Sequence, residues 1–205
     1  MGTAVARCVV FDLGNVLIRW DPHAAIAAAV GVAEATRFLA ADDFDFLGWN
    51  HLQDAGRGWD EAEAAVARSH PHWHRHAVAY RTHFDRSLLG PVEDNVAVLR
   101  DLHAAGVPVV GLTNWSSELF PHALARFDFL GLLDDIVVSG DEGLAKPDPA
   151  IFEALRQRVA RPLAECVLVD DSAANIAAAA TAGLDTIHFT GEPVRPLLRD
   201  RGLPV

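Results

Sequence analysis

Short, valine-rich apolar runs alternate with longer stretches of helical periodicity along most of this chain. Val5–Phe11, Val107–Leu112, Asp135–Val138, Cys166–Val169 and Thr186–Phe189 have the length and composition of buried parallel strands. Between them the spacing predicts helices over Val92–Ala105, Ser117–Phe127, Pro149–Ala160 and Ala173–Ala182. Gly106 and Gly183 sit where two of these helices should stop before the next strand. Strand and helix in alternation predict an α/β fold, a Rossmann-like parallel sheet sandwiched by helices.

The stretch from Arg19 to Leu89 breaks that alternation. It holds no convincing strand run but five helical patterns, at Pro22–Val30, Ala33–Leu39, Phe44–Gln53, Trp59–Arg68 and Trp73–Ser87. A helical block placed directly after the first strand is expected to lie over the carboxyl ends of the strands, where open α/β sheets bind ligands. The expected organisation is a catalytic core of residues 1–18 and 89–205 with an inserted α-helical cap domain of residues 19–88. No repeat, low-complexity tract or long Pro/Ser/Gly linker interrupts it.

Bulk properties narrow the function. A chain of 205 residues buries one substantial core with room for a modest insertion. Its formal net charge of −11 argues against nucleic acid or an anionic membrane as partner, because both need surplus cations. A small anion is still admitted, since one lysine or metal ion can reverse the sign inside a pocket. Met1 to Asp12 reads as a strand rather than a signal peptide, and no apolar run is long enough to span a bilayer. Two cysteines, Cys8 and Cys166, form no disulfide framework and read as buried reduced thiols on neighbouring strands. A cytoplasmic protein is expected, monomeric or homodimeric.

The polar residues at the strand ends carry the chemistry. The first strand ends in Asp12, the second in Thr113-Asn114 and the fourth in Asp170-Asp171, while Lys146-Pro147-Asp148 precedes the third helix. In a parallel sheet these ends share one edge. Each residue alone could be a helix cap, a turn residue or a solvated lysine. Together, two or three carboxylates beside one lysine repel one another unless a further cation sits among them. A hard divalent ion such as Mg²⁺ would settle the site and leave positions open for a phosphate.

Phe11-Asp12-Leu13-Gly14-Asn15-Val16, Leu112-Thr113-Asn114, Lys146-Pro147-Asp148 and Val169-Asp170-Asp171 resemble, in order and spacing, the four motifs of the haloacid-dehalogenase superfamily. The helical insertion falls where that family carries its small cap. Asp12-Leu13-Gly14-Asn15-Val16 and Leu112-Thr113-Asn114-Trp115-Ser116 are most similar to the sugar-phosphate phosphatase branch, beside the phosphatase domain of soluble epoxide hydrolases. The resemblance implies a phosphatase that hydrolyses a small phosphorylated metabolite, a sugar phosphate among the candidates, through an aspartyl-phosphate on Asp12. It implies that Thr113 and the Asn114 amide hold phosphoryl oxygens and that Lys146 offsets charge on Asp12 and phosphate. Mg²⁺ would be bound by Asp12, the Gly14 carbonyl and Asp171, with Asp170 orienting ligands or lysine. Asn175 and Trp115 are expected to face the same pocket.

One position departs from the family. Its phosphatases carry a second aspartate two residues after the nucleophile, as general acid and base; here that residue is Gly14. Losing such a group typically costs about 10²- to 10⁴-fold in rate. Three accounts stay open: a good leaving group, a substitute residue with Asp21 as candidate, or weak or absent phosphatase activity. Two other readings accompany them, a metal-independent 2-haloacid dehalogenase and a non-catalytic phosphate-metabolite binding protein. The run His70-Pro71-His72-Trp73-His74-Arg75-His76 admits a transition-metal site or a pH-sensitive surface, though Pro71 and the absence of a nearby cysteine weaken the first.

Overall fold

A computed structural model describes residues 7–205, so the start of the first apolar run, Val5 and Ala6, lies outside the described residues. In chain order the strands are β1 (Cys8–Phe11), β2 (Ile18–Trp20), β3 (Leu88–Pro91), β4 (Val109–Thr113), β5 (Asp135–Val138), β6 (Cys166–Asp170) and β7 (Asp185–His188). The helices are α1 (Pro22–Val30), α2 (Val32–Leu39), α3 (Phe46–Asp54), α4 (Trp59–Ser69), α5 (His74–Thr82), α6 (Glu93–Ala104), α7 (Phe120–Arg126), α8 (Ser139–Glu142), α9 (Pro149–Val159), α10 (Ala173–Thr181) and α11 (Val194–Arg199).

Five strands form one parallel sheet in the order β5-β4-β1-β6-β7. Every residue of β1, β4 and β6 is buried, which explains their continuous apolar character: both faces of a parallel sheet are covered. Side chains alternate between the faces. Cys8, Val10, Val110, Leu112 and Leu168 meet Ile151, Phe152 and Leu155 of α9 on one side. Val9, Phe11, Val109, Val167 and Val169 share the other side with Val96, Leu99 and Leu102 of α6. Cys8 and Cys166 stand directly opposite each other in the β1–β6 register as buried free thiols. Gly106 (φ 69°) and Gly183 (φ 97°) take the left-handed conformation that ends α6 and α10, as their placement predicts.

Between β1 and β4 the chain leaves the sheet. β2 and β3 pair antiparallel and bracket five helices, α1 to α5. Neither strand is expected from the sequence. Ile18-Arg19-Trp20 and Leu88-Leu89-Gly90-Pro91 are too short to show a period of two, and their register shifts between Arg19 and Trp20. The helix expected over Trp73–Ser87 is broken: α5 stops at Thr82 and Phe84–Ser87 forms a 3₁₀ turn, with the Ser87 hydroxyl donating to the Phe84 carbonyl at 2.6 Å. Helices α8 and α11 have no counterpart in the predicted pattern.

Aromatic residues hold the insertion together. Phe38 stacks on Phe44 at 5.1 Å, Trp49 meets Trp59 edge-on at 5.4 Å, and Tyr80 meets Phe46 edge-on at 5.1 Å. The histidine run is dispersed among different neighbours. His72 pairs with Asp43 at 2.9 Å, His76 is buried against Phe38 and Trp73, and His70 lies edge-on to Phe44. No helix among the described residues is long and apolar enough to cross a membrane.

Phe152 is fully buried in the cluster between α9 and the sheet. Phe152→Ala is expected to cost about 3–5 kcal/mol, read as a shift of the urea midpoint. A loss below about 1 kcal/mol would mean that this face closes around the cavity instead of depending on the ring.

Candidate active site

Three strand ends and one loop converge at the carboxyl edge of the sheet. Asp12 follows β1 without leaving its register, its amide donating to the Val169 carbonyl at 2.9 Å. The Leu13 amide donates back to Asp12 Oδ1 at 2.7 Å, fixing the carboxylate at the mouth of the strand. The chain then turns tightly: the Leu17 and Ile18 amides both donate to the Leu13 carbonyl, and α6 holds the turn through Asn95 Nδ2 donating to the Val16 carbonyl at 2.8 Å.

Lys146 reaches this edge from the loop before α9 and is 1% exposed. Its Nζ donates to the Leu112 carbonyl at 2.7 Å and to Asp170 Oδ2 at 2.7 Å, and lies 3.1 Å from Asp12 Oδ1. Those three partners match the three protons of the ammonium. Asn114, just past β4, clamps the lysine's backbone from both sides, its Nδ2 donating to the Lys146 carbonyl and its Oδ1 accepting from the Lys146 amide, each at 2.8 Å. Asp170 is likewise fully committed. Beyond Lys146 it accepts from the Ser172 amide at 2.8 Å and from Asn175 Nδ2 at 3.0 Å. Asp171 carries no such set of partners and lines the cavity.

The electrostatics leave the site short of positive charge. Asp12, Asp170 and Asp171 each place an oxygen within 4.8 Å of the others, with one lysine among them; no other group of three potential ligands is found among the described residues. Burial pushes the Asp12 carboxyl up to about 7, against the pull of Lys146, and the Asp170 and Asp171 charges add to the rise. Burial and the Asp170 charge likewise raise Asp171. Burial pulls the Lys146 ammonium down, but the charges of Asp12 and Asp170 outweigh it and hold it above the ordinary lysine value. An all-oxygen set with one buried cation already in place suits a hard divalent ion rather than a soft transition metal.

A cavity of about 600 Å³ opens over these groups and reaches into the insertion. Asp12, Gly14, Asn114, Trp115, Lys146, Asp171 and Asn175 all line it, so most of the residues singled out in the sequence meet in one place. Thr113 and Asp170 are buried beside them, and the Thr113 hydroxyl has no hydrogen-bond partner. Asp21 stands apart. Its Oδ1 accepts from the His23 amide at 2.9 Å as the N-cap of α1, and it is not among the residues lining the cavity. At Gly14 an added Cβ meets nothing within 4 Å, so neither crowding nor backbone conformation demands glycine there.

Sequence reading missed the far wall. Trp20, Trp59, Tyr80, Phe84 and Leu119 face the cavity, and Asn50, His51 and Asp54 come from α3. Those on α3, α4 and α5 have the spacing of any amphipathic helix, and Trp20 and Phe84 lie in elements too short to show a period, so nothing distinguishes a wall residue from an ordinary core or surface residue.

A family model described as haloacid dehalogenase-like hydrolase matches residues 6–183. Phosphoglycolate phosphatase of Cereibacter sphaeroides is 31% identical over 191 residues, covering 89% of this chain and 84% of that protein. Drimenol cyclase drtB of Aspergillus calidoustus is 26% identical over 90% of this chain, which spans only 34% of that protein's length. A HAD family enzyme of Bacteroides thetaiotaomicron, solved with magnesium and inorganic phosphate, shares the fold with a TM-score of 0.72 at 20% identity, over 94% of this chain and 98% of that one.

The raised Asp12 carboxyl has a consequence for stability. Its folded value near 7 lies above its ordinary 3.8, so the native state holds a proton that the unfolded chain releases across that window. With divalent ions chelated, Asp12→Asn is expected to gain melting temperature relative to the parent as pH rises from about 4 to about 7. A gap between the two proteins that stays constant over that range would refute the burial account of Asp12.

Proposed function

The chain belongs to the haloacid dehalogenase-like hydrolase family, and from that membership we propose that it is a Mg²⁺-dependent phosphatase acting on a small phosphate monoester. The observation that carries this reading is the cluster of Asp12, Asp170 and Asp171 around a single buried lysine, under a cavity large enough for a metabolite. A metal-independent dehalogenase has no use for the third carboxylate, and a pure binding protein has no need of a nucleophile at the strand mouth.

In this proposal Asp12 attacks phosphorus and carries the phosphoryl group, splitting the reaction into two displacements. Lys146 holds the attacking carboxylate in place and offsets charge on the transferring group. The partnerless Thr113 hydroxyl and the Asn114 amide are the groups proposed to hold phosphoryl oxygens. Asp12, the Gly14 carbonyl and Asp171 are the proposed magnesium ligands. The ion would supply Lewis-acid stabilisation of the phosphoryl oxygens. Asp170, with its oxygens taken by Lys146, Ser172 and Asn175, serves to keep Lys146 aimed.

The helical insertion over the cavity acts as the cap that selects the alcohol. Its wall combines Trp20, Trp59, Tyr80 and Phe84 with the polar residues of α3, and Lys146 is the only lysine or arginine lining the cavity among the described residues. One phosphate is therefore neutralised, while a second strongly anionic group finds no partner. The relative from C. sphaeroides named a phosphoglycolate phosphatase supports the reaction class, and a small phosphorylated metabolite with an uncharged body, a sugar phosphate among them, fits the wall.

Phosphate release from a panel of sugar, alkyl and aryl phosphates, with Mg²⁺ and with chelator, tests the proposal. Turnover is expected to need the metal and to fall at least about 10⁴-fold in Asp12→Asn. Halide release from 2-haloacids without metal would overturn it in favour of the dehalogenase. Tight ester binding with no turnover would overturn it in favour of a binding protein.

A further inference from the structure

The loop after β1 carries no proton donor, yet alkyl phosphates leave poorly without one. The cavity itself offers a replacement. Among the described residues, the carboxylates lining it are Asp12, Asp54 and Asp171. Two of these belong to the acidic group suited to a cation. Asp54, the last residue of α3, does not. Resting on the phosphatase reading above, we propose that Asp54 is the general acid and base of this enzyme, supplied by the insertion in place of the residue absent at Gly14.

The position of Asp54 is built, not incidental. Asn50 Nδ2, one helical turn earlier, donates to Asp54 Oδ2 at 3.0 Å and orients the carboxyl. The Asp54 carbonyl accepts from the Ser139 hydroxyl at 2.6 Å, and that hydroxyl in turn accepts from the Trp115 amide at 2.9 Å. The end of α3 is thereby tied to the loop that follows β4. Immediately beyond, Gly56 (φ 98°) lies so close to α8 that an added Cβ would stand 3.2 Å from the Gly143 Cα. Trp59 then closes the junction, its Nε1 donating to the Ser116 hydroxyl at 2.7 Å and its amide to Glu118 Oε1 at 2.9 Å. A residue held this firmly to the core can keep a proton at a fixed place over the reacting ester.

Its environment favours the protonated form that a donor needs. Burial lifts the Asp54 carboxyl to about 7; the Ser116 amide opposes the rise and the Asp12 charge adds to it. A carboxyl poised there donates and accepts near neutral pH. His51, on the same helix and also lining the cavity, is the competing donor, but it is exposed.

The proton and bond accounting closes. In the first step an Asp12 oxygen bonds to phosphorus, the P–O bond to the alcohol breaks, and the Asp54 proton passes to the departing alkoxide, which leaves as ROH. In the second, water attacks phosphorus, the Asp54 carboxylate takes one proton from that water, and the Asp12–phosphorus bond breaks. Inorganic phosphate, free Asp12 carboxylate and protonated Asp54 result.

The test is the dependence of kcat/KM on the leaving group, measured on the full chain with Mg²⁺, because that ratio reports the step in which the alcohol departs. For Asp54→Asn the loss on an alkyl phosphate is expected to be about 10²- to 10⁴-fold, and at least tenfold greater than on 2,4-dinitrophenyl phosphate, whose phenolate needs no proton. A loss equal across both esters would reduce Asp54 to a structural anchor and overturn the proposal, as would the leaving-group-selective loss appearing in His51→Gln instead. Should Asp54→Asn not fold, the parent alone decides over a series of aryl phosphates. A shallow fall of kcat/KM with leaving-group pKa supports an internal proton donor, and a steep one rules it out. Absence of any ester hydrolysis by the parent would bring down the phosphatase reading and this proposal together, whereas hydrolysis with a uniform Asp54→Asn loss brings down this proposal alone.

Discussion

The ammonium of Lys146, buried between Asp12, Asp170 and the Leu112 carbonyl, is the constraint on which the rest of the site depends. Removing a lysine and two aspartates from water costs several kcal/mol per ion, and only close contacts with complete hydrogen bonding offset it. Here the contacts are complete: three acceptors for the ammonium and four donated bonds on Asp170. Because the partners come from β1, β4, β6 and the loop before α9, the pair forms only when these three neighbouring strands lie in their parallel order. The ion pair therefore reports correct folding at the same place where it prepares the chemistry. It also separates the carboxylates. Asp170 accepts through both oxygens from Lys146, Ser172 and Asn175, whereas Asp12 meets its protein partners, Leu13 and Lys146, through Oδ1.

The insertion is fastened to that edge at one end. Trp59, Glu118 and Ser139 link the α3–α4 junction to the segment after β4, and Arg81 adds ion pairs to Asp60 at 2.7 Å and Glu118 at 2.9 Å. On the opposite side the connection is the short β2–β3 ribbon, with its register shift beside Trp20. The ribbon side is tied to the core as well, with Arg126 donating to the Asp85 carbonyl at 2.8 Å and Phe84 meeting Trp115 edge-on at 5.8 Å. Trp20 joins the ribbon to α5, donating from Nε1 to the Tyr80 hydroxyl at 3.2 Å, so the aromatic wall is continuous from ribbon to helix. A substrate body seated against such a wall would displace water and strengthen the charge interactions beneath it.

How much of this was legible in the sequence depends on whether a residue's role is fixed by the backbone or by distant packing. The five sheet strands could be read because burial on both faces writes an unbroken apolar run, and Asp12, Thr113, Asn114, Lys146, Asp170 and Asp171 could be read because strand ends in a parallel sheet must share an edge. Asn175 was accessible for a similar reason, one turn into the helix that follows β6. The ribbon was hidden because strands of three and four residues leave no period to detect. Asp54 was hidden because its significance lies in where α3 docks, which is set by Ser139 and Trp59 many residues away. Asp21 shows the converse. Its proximity to the first motif suggested a place over the site, but Asp-Pro at a helix start is a capping signal first, and the structure uses it so.

In the proposed mechanism, moving the proton donor from the loop after β1 to the insertion changes what the enzyme can distinguish. An acid two residues from the nucleophile sits on the core and protonates whatever alcohol departs. An acid at the end of α3 belongs to the wall that contacts the alcohol, so binding and protonation draw on the same helix. An ester whose body fails to seat against Tyr80, Phe84 and Trp115 loses orientation, and it loses alignment with Asp54 as well. Discrimination then appears in kcat as well as KM, because the contacts made by the body of the substrate are used to assemble the transition state. The open space around Gly14 fits the proposed division: nothing there prevents a side chain, so glycine at that position is consistent with a proton donor supplied from elsewhere in the cavity. In the proposed mechanism, two carboxyls raised to about 7 in one cavity, one beside a lysine and one beside an amide, take different work, nucleophile and acid, by their partners rather than by their intrinsic acidity.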